Sequence, residues 1–418
     1  MRNLFCFLIL LFCTVTVSAQ KNIIYDTDHI RSLQTICMDD PLHPAIMDRK
    51  SWHVEIGFHE MSHEYHRYRY HIEHCEADWT VSEDLFESNY LSGMNDQPIE
   101  DYEKSFNTTQ NYTHYTLRLP NENTRLLLSG NYRVTVTDED KDDDPVLVAE
   151  LCLADRMVGI SAEISGNTDI DFQRNHQQLS LAMSYGALHV TDPDKELKIF
   201  VTQNRRPDRT VEIHPNIRKA NGLEFNHQKS LIFPGSNECH KFELLDVHRV
   251  NMNVDNIRWY DPYYHATLYD VPQQHNYSYD EDANGGYIIR NEDNENNETT
   301  CEYAIVHFRF KAPLLNGGDV YVQGNWCNNW PNDDYRMEYD EESGEYHCAV
   351  LLKQGYYNYR FVQLTDLLSA TDDKVATTER TDGDFFQTEN EYIVLVYYKE
   401  PGGRYDKLVG YYNSKSKL

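Results

Sequence analysis

The stretch GNYRVTVTDEDKDDDPVLVAELCL, residues 130–153, contains the pattern that decides the fold class. Tyr132, Val134 and Val136 alternate with polar residues, so these apolar side chains share one face of a strand. The acidic run from Asp138 to Asp144 cannot enter a core, and a second apolar run begins at Val146. The pattern predicts two strands that are joined by a solvated acidic turn.

The same alternation recurs along the chain, whereas helical periodicity is scarce. It is clearest in SWHVEIGF (51–58), YRYHIEHC (68–75), THYTLRLP (113–120) and YAIVHFRFKAP (303–313). Short strands with a turn every ten or so residues are typical of β-sandwiches. The sequence therefore predicts an all-β protein with several immunoglobulin-like β-sandwich domains in tandem.

The distribution of strands and polar segments predicts three domains after a cleavable leader. Residues 1–19 fit a signal peptide, since an apolar run from Leu4 to about Val17 precedes a small-residue site at Ala19. The run is short for a membrane span, and no later segment is apolar enough for one. The predicted domains are residues 20–153, 154–270 and 271–418.

Charge and composition exclude several classes of function. The 418 residues carry a formal net charge of −30, which repels nucleic acid and anionic lipid and favours cationic partners. The sequence contains no phosphate-binding glycine loop and no G-x-S-x-G, so no cofactor and no catalytic residue is expected. We predict a non-enzymatic protein.

The segment HEMSH, residues 59–63, matches the H-E-x-x-H signature of zinc proteases. That chemistry needs both histidines on one helix face. Alternating strands flank the segment, so His59, Glu60 and His63 are interpreted as a chance match at a hairpin tip, with no metal bound. The surrounding histidines are interpreted as alternating surface residues of a hairpin, with adventitious metal binding as the alternative; they are His53, His59, His63, His66, His71 and His74. The acidic turn lacks the EF-hand glycine and is interpreted as a solvated loop.

The cysteines form no C-x-x-C pair. Nine are present, and Cys6 and Cys13 lie in the leader, which leaves seven. An odd number leaves at least one cysteine without a partner in the chain. Because Cys327 and Cys348 lie on neighbouring strand-like segments, they are the candidate disulfide.

The segment VYVQGNWCNNWPNDDYRMEYDEESGEYHCAVLLKQGYYNYRFV, residues 320–362, resembles the starch- and glycogen-binding modules of the early-set immunoglobulin-like class. In those modules a tryptophan after the paired asparagines stacks on sugar, and Trp330 is the matching position. Cys327 is an extra residue in the motif, and no second tryptophan follows YRFV. Trp326 and Trp330 are therefore candidates for glycan binding, for a protein contact, or for packing at the sandwich edge.

A second resemblance covers the mature chain. It is carried by HIEHCEADW (71–79), residues 89–123, LSGNYRVTV (128–136), APLLNGGDVYVQGNW (312–326) and residues 385–411. These phrases are similar to the plug protein family of the bacterial type IX secretion system, formerly a domain of unknown function. The resemblance implies a periplasmic protein that binds the giant outer-membrane β-barrel translocon and seals its periplasmic opening. The alternative is a periplasmic glycan-binding protein that uses Trp330.

Overall fold

Extended strands dominate the chain, as the alternation predicted. The computed structural model describes residues 22–141, 143–329, 331–365 and 376–417. Its strands form several separate sheets, which confirms the predicted all-β sandwich class. The helices of the described ranges are single turns: α1 (Glu87–Tyr90), α2 (Pro193–Glu196) and α3 (Asn297–Thr300). The predicted signal peptide, residues 1–19, and Trp330 lie outside the described residues.

The first domain contains twelve strands. One sheet has the order β1-β12-β11-β5-β7 with β3 beside β12, the facing sheet has the order β2-β4-β9-β8, and β6 pairs with β10. The strands are β1 (Ile23–Ile24), β2 (Ile30–Cys37), β3 (Ile46–Asp48), β4 (Val54–Glu60), β5 (Tyr68–Cys75), β6 (Leu91–Gly93), β7 (Gln97–Pro98), β8 (Asp101–Lys104), β9 (Thr113–Leu119), β10 (Thr124–Leu126), β11 (Gly130–Asp138) and β12 (Asp144–Ala154).

Residues 130–153, which contain the acidic turn, form the centre of this domain. β11 and β12 pair antiparallel, with Val134 opposite Ala149 and an irregularity after Val136. Tyr132, Val134 and Val136 are fully buried and pack in one core with Phe58 and other apolar residues from both sheets. Inward apolar side chains from two facing sheets are what hold a sandwich together.

The second domain contains the next seven strands. They are β13 (Gly159–Ser165), β14 (His176–Ser184), β15 (Leu197–Gln203), β16 (Thr210–Ile213), β17 (Ile217–Lys219), β18 (Gly222–Phe225) and β19 (Ile232–Pro234). One sheet has the order β13-β14-β18-β17 with β19 beside β14. The facing sheet contains β16 and β15, and its other strands come from the C-terminal part of the chain.

The described residues of the third domain form eleven strands. They are β20 (His240–Leu244), β21 (Val254–Tyr260), β22 (Tyr263–Leu268), β23 (Val271–Pro272), β24 (Tyr287–Ile289), β25 (Tyr303–Lys311), β26 (Gly318–Gln323), β27 (Glu338–Asp340), β28 (Glu345–Lys353), β29 (Gly355–Thr365) and β30 (Ala376–Thr377). The central strand β29 pairs with β20, β24, β26 and β30, and the facing sheet has the order β21-β22-β25-β28-β27 with β23 beside β25.

The last two strands return to the second domain. β31 (Glu391–Tyr398) and β32 (Lys407–Lys415) complete the sheet β16-β15-β31-β32. Val201 lies opposite Val394 in this sheet. The third domain is therefore inserted within the second, and the boundary predicted between residues 270 and 271 is corrected. The alternation predicted the strands but carried no information about which distant strand each one pairs with.

Candidate functional site

Buried polar contacts join all three domains at one junction. Tyr397 of the second domain donates a hydrogen bond to Asn131 Oδ1 of the first domain over 2.8 Å. Arg206, also in the second domain, is fully buried and donates to the carbonyl of Ala376 in the third domain over 2.7 Å. Tyr112 of the first domain donates to the carbonyl of Cys301 over 2.8 Å. Each domain thus contacts both others.

A cavity of about 170 Å³ lies where the three domains meet. The first domain contributes Leu33 and Ile36, the second Phe200 and Ile393, and the third Tyr287, among other residues. Cavities with apolar walls and a few polar groups are typical of sites for small ligands.

The charge at this cavity is already compensated. Arg205 Nε lies 2.7 Å from the carboxylate of Glu391, and Arg205 Nη2 donates to the carbonyl of Leu42 over 2.6 Å. Burial opposes ionisation of Glu391, but Arg205 and further hydrogen bonds outweigh it and lower the pKa of that carboxyl. Arg205 therefore brings no unpaired charge to the wall of the cavity.

His59 lies in a buried network between the first and third domains. His59 Nδ1 is 2.6 Å from the hydroxyl of Tyr303, and Lys353 Nζ donates to His59 Nε2 over 3.1 Å. Lys353 Nζ also donates to the carbonyl of Glu298 over 2.8 Å and lies 4.6 Å from the centre of the Tyr112 ring. Burial, and then the charge of Lys353, lower the pKa of His59 well below its usual value. Burial lowers the pKa of Lys353 to about 8.

The structure places the three residues of the protease-like motif apart. β4 and β5 belong to different sheets, so residues 61–67 cross the sandwich rather than form the predicted hairpin tip. His59 points into the domain interface, Glu60 accepts hydrogen bonds from Ser62, and His63 Nε2 lies 2.8 Å from Ser105 Oγ. The interpretation of the nearby histidines as surface residues is corrected for His59 and His74, each of which is 1% exposed.

The sequence contained one local signal for the buried histidine. In β4, Val54, Ile56 and Phe58 face the core of the first domain, so Gly57 and His59 share the opposite face. A Cβ on Gly57 would lie only 3.0 Å from the ring of His114, so the small residue leaves room for that ring. The partners on the third domain, Tyr303 and Lys353, are more than 240 residues away in sequence, and nothing local indicated them.

Trp326 is a packing residue of the third domain. Its ring lies 5.8 Å from that of Phe308 at an angle of 10°, and its Nε1 donates to the carbonyl of Asn358 over 3.0 Å. An indole that is held on its face and at its nitrogen is a poor platform for sugar. The candidate Trp330 lies outside the described residues.

The predicted disulfide between Cys327 and Cys348 is not formed, which corrects that expectation. Both thiols are free and buried. Cys327 lies in a short turn after Gly324 and donates back to the carbonyl of that glycine over 3.1 Å, whereas Cys348 Sγ lies 3.8 Å from the carbonyl of Asp334. Burial raises the pKa of each thiol to about 12, so neither is a reactive thiolate near neutral pH.

Comparisons with known proteins agree with this architecture. The family model described as type 9 secretion system plug protein 1st domain matches residues 30–155. The crystal structure of a hypothetical protein from Parabacteroides merdae is 34% identical, with a TM-score of 0.90, and the alignment covers 95% of this chain and all of that one. A comparison with curated proteins gives no match.

The matched region covers most of the first sandwich. It begins at Ile30, the first residue of β2, and ends just after β12, so it includes nearly all of that domain's strands. Among the described residues, no helix is long and apolar enough to cross a membrane. The chain belongs to the same family as the Parabacteroides merdae protein, and its residues 30–155 match the model of the type 9 secretion system plug protein 1st domain.

Proposed function

We propose that this protein is a periplasmic plug, which binds the outer-membrane β-barrel translocon of the type IX secretion system and seals its periplasmic opening. The observation that carries the proposal is the match of the plug-family model to residues 30–155, which form nearly all of the first sandwich. The family and the all-β fold point to a structural, non-enzymatic role. A role in protein secretion follows from the family.

The junction of the three domains supports sealing in particular. A plug has to fill a wide pore with a body that does not deform when its partner pushes against it. Contacts such as Tyr397 to Asn131, Arg206 to Ala376 and Lys353 to His59 join the domains through buried hydrogen bonds. Buried polar groups are costly to separate without new partners, so these contacts resist relative movement of the domains.

The surface charge supports reversible docking. The formal net charge is −30, and a strongly acidic surface attracts a positively charged rim over about a Debye length, roughly 8 Å at physiological salt. A seal must also open for substrate, so its interface should be polar rather than a large apolar core. We infer that the translocon presents a basic rim to this protein.

Binding is tested by purifying the tagged translocon barrel from the native host and identifying the bound proteins by mass spectrometry. The expected result is near-stoichiometric recovery of this chain at low salt. Dissociation is then measured from about 50 to 500 mM NaCl, and we expect affinity to fall steeply. Absence of the chain from the purified barrel contradicts the proposal, and a salt-independent affinity contradicts only its electrostatic part.

Sealing is tested separately from binding. Deletion of the gene should make the outer membrane permeable to a large hydrophilic antibiotic, and the wild-type gene should restore the barrier. The matched control is a strain that lacks both this protein and the barrel, which should remain impermeable because no open pore is present. Equal permeability of the single and double deletions would contradict sealing while leaving binding intact.

A further inference from the structure

His66, Asp138 and Asp140 converge at one end of the first sandwich. His66 lies in the crossover just before β5, Asp138 is the last residue of β11, and Asp140 lies in the acidic turn that follows. Each offers one ligand atom, and these atoms all lie within 4.8 Å of one another. The strand pairing of Asp138 with Tyr68, two residues after His66, brings the elements together.

Two of the atoms that face each other are buried without a hydrogen bond. His66 Nδ1 and Asp138 Oδ2 are 3.7 Å apart, and neither has a hydrogen-bond partner. Asp138 is fully buried, and its Oδ1 accepts the backbone N–H of Asp140. Leaving a buried carboxylate oxygen without a partner costs several kcal/mol unless another group or an ion satisfies it.

The charged groups around the cluster do not neutralise it. Lys141 Nζ is 4.0 Å from Asp138 Oδ2, but it is 44% exposed and makes its short contact, 2.8 Å, with Asp26. By contrast, the adjacent Glu139 is paired with both Arg67 and Arg69, at 3.0 and 2.6 Å. The negative charge at this end of the domain is thus unbalanced.

We propose that His66 Nδ1, Asp138 and Asp140 form a divalent metal site, for which Zn²⁺ is the best-fitting ion. Zinc binds imidazole nitrogen and carboxylate oxygen at about 2.0–2.2 Å in a tetrahedral arrangement, so two ligands of one ion lie roughly 3.3–3.6 Å apart. The 3.7 Å between His66 Nδ1 and Asp138 Oδ2 is close to that spacing. Imidazole favours zinc over Ca²⁺ and Mg²⁺, which prefer sets of oxygen ligands.

Glu60 has the position of a supporting carboxylate for His66. Its Oε1 lies 4.0 Å from His66 Nε2, the ring nitrogen that faces away from the cluster, and Glu60 is 3% exposed. Metal-bound histidines usually direct the second ring nitrogen at a carboxylate or carbonyl, which fixes the tautomer and the ring orientation. The backbone of His66 is held as well, because its N–H donates to Tyr115 Oη over 3.0 Å. Glu60 of the protease-like motif therefore acts as a positioning residue of a different site.

The test uses the full mature chain after treatment with a chelator. Calorimetric titration with ZnCl₂ should give one strong site per chain. His66→Gln and Asp140→Asn should each weaken that site at least about 10-fold. Asp144→Asn is the matched control, because Asp144 is exposed at the start of β12, close in sequence to Asp140, and the charge change is the same. Its affinity should equal that of the wild type.

Further variants separate this site from other histidines. His63→Gln tests the protease-like motif, and His114→Gln tests the cluster of His59, His114 and Glu298, which could also hold an ion. Both should leave zinc affinity unchanged. Glu60→Gln should keep one site but shift the visible absorption of bound Co²⁺, since the ring of His66 is released. No stoichiometric zinc, wild-type affinity in His66→Gln and Asp140→Asn, or loss in His63→Gln or His114→Gln would each overturn the proposal.

Discussion

Lys353 of the third domain donates a hydrogen bond to His59 of the first domain, with 3.1 Å between Nζ and Nε2, in an interface that buries both side chains. A lysine that donates to a histidine requires the ring nitrogen to be unprotonated. His59 Nδ1 then carries the proton and donates it to Tyr303, whose hydroxyl is 2.7 Å from Ser32 Oγ. The chain of hydrogen bonds across the two domains is thus intact only while His59 is neutral.

Stability should fall as pH is lowered below about 6.5. Burial lowers the pKa of His114 to about 3 and of His74 to about 4, and it lowers that of His59 strongly. In the unfolded chain these histidines titrate near 6.5, so unfolding takes up protons below that pH. The stabilisation is complete above about pH 6.5, and it is lost as pH falls to about 4 for His74 and to about 3 for His114. At pH 5, each buried histidine that stays neutral lowers the free energy of unfolding by about 2 kcal/mol relative to its value well above pH 6.5.

Urea unfolding at pH 7.5 and pH 5.0 measures this effect. The expected result is a clearly lower midpoint at pH 5.0, and a smaller difference in His114→Gln because one titrating group is gone. Equal midpoints of the wild type at the two pH values would contradict the assignment of neutral buried histidines.

Tyr303→Phe should destabilise the protein by about 1–3 kcal/mol. The hydroxyl of Tyr303 contacts both Ser32 and His59, and its removal leaves buried polar atoms without a partner. Urea unfolding at pH 7.5 measures the loss. Tyr279→Phe is the control, because Tyr279 is 65% exposed, and it should change stability by less than about 0.5 kcal/mol. Similar values for both variants would show that the hydroxyl bridge contributes nothing.

Trp326→Ala should lower stability by about 2–4 kcal/mol, because the ring packs on Phe308 and its nitrogen donates to Asn358. Trp259→Ala makes the same chemical change at a ring that is 45% exposed, and it should cost much less. Thermal or urea unfolding distinguishes the two. If Trp326→Ala is as stable as the wild type, the packing role is contradicted and Trp326 is again a candidate binding residue.

A chain that ends at residue 390 should fail to fold its second domain. It lacks β31 and β32, so β15 keeps only β16 as a partner and the apolar side chains of Val201 and Ile199 are exposed. Limited proteolysis should cleave residues 155–235 quickly while the first domain remains protected. A protease pattern identical to that of the full chain would contradict the inserted-domain topology.

Local pattern predicted the strands well because each signal lies within about ten residues. Tyr132, Val134 and Val136 alternate in the sequence and are all buried in the first core. Pairing between distant strands was not predictable in this way. Nothing near Val394 indicates that its neighbour is Val201 rather than a strand of the third domain.

The same limit applies to the candidate sites. About 70 residues of sequence separate His66 from Asp138 and Asp140. The three side chains meet only because β5 and β11 pair. The sequence drew attention to His59, Glu60 and His63 because they are adjacent, but the fold sends these three side chains in different directions.

The insertion of the third domain within the second imposes an order on assembly. The sheet β16-β15-β31-β32 combines two strands that precede the inserted third domain with two that follow it. The sheet therefore cannot form completely until β32 is available. During vectorial synthesis or export, the first and third domains have all their strands earlier. The second domain is then the last to fold. While its sheet is incomplete, a chaperone or a protease has the most access to the chain.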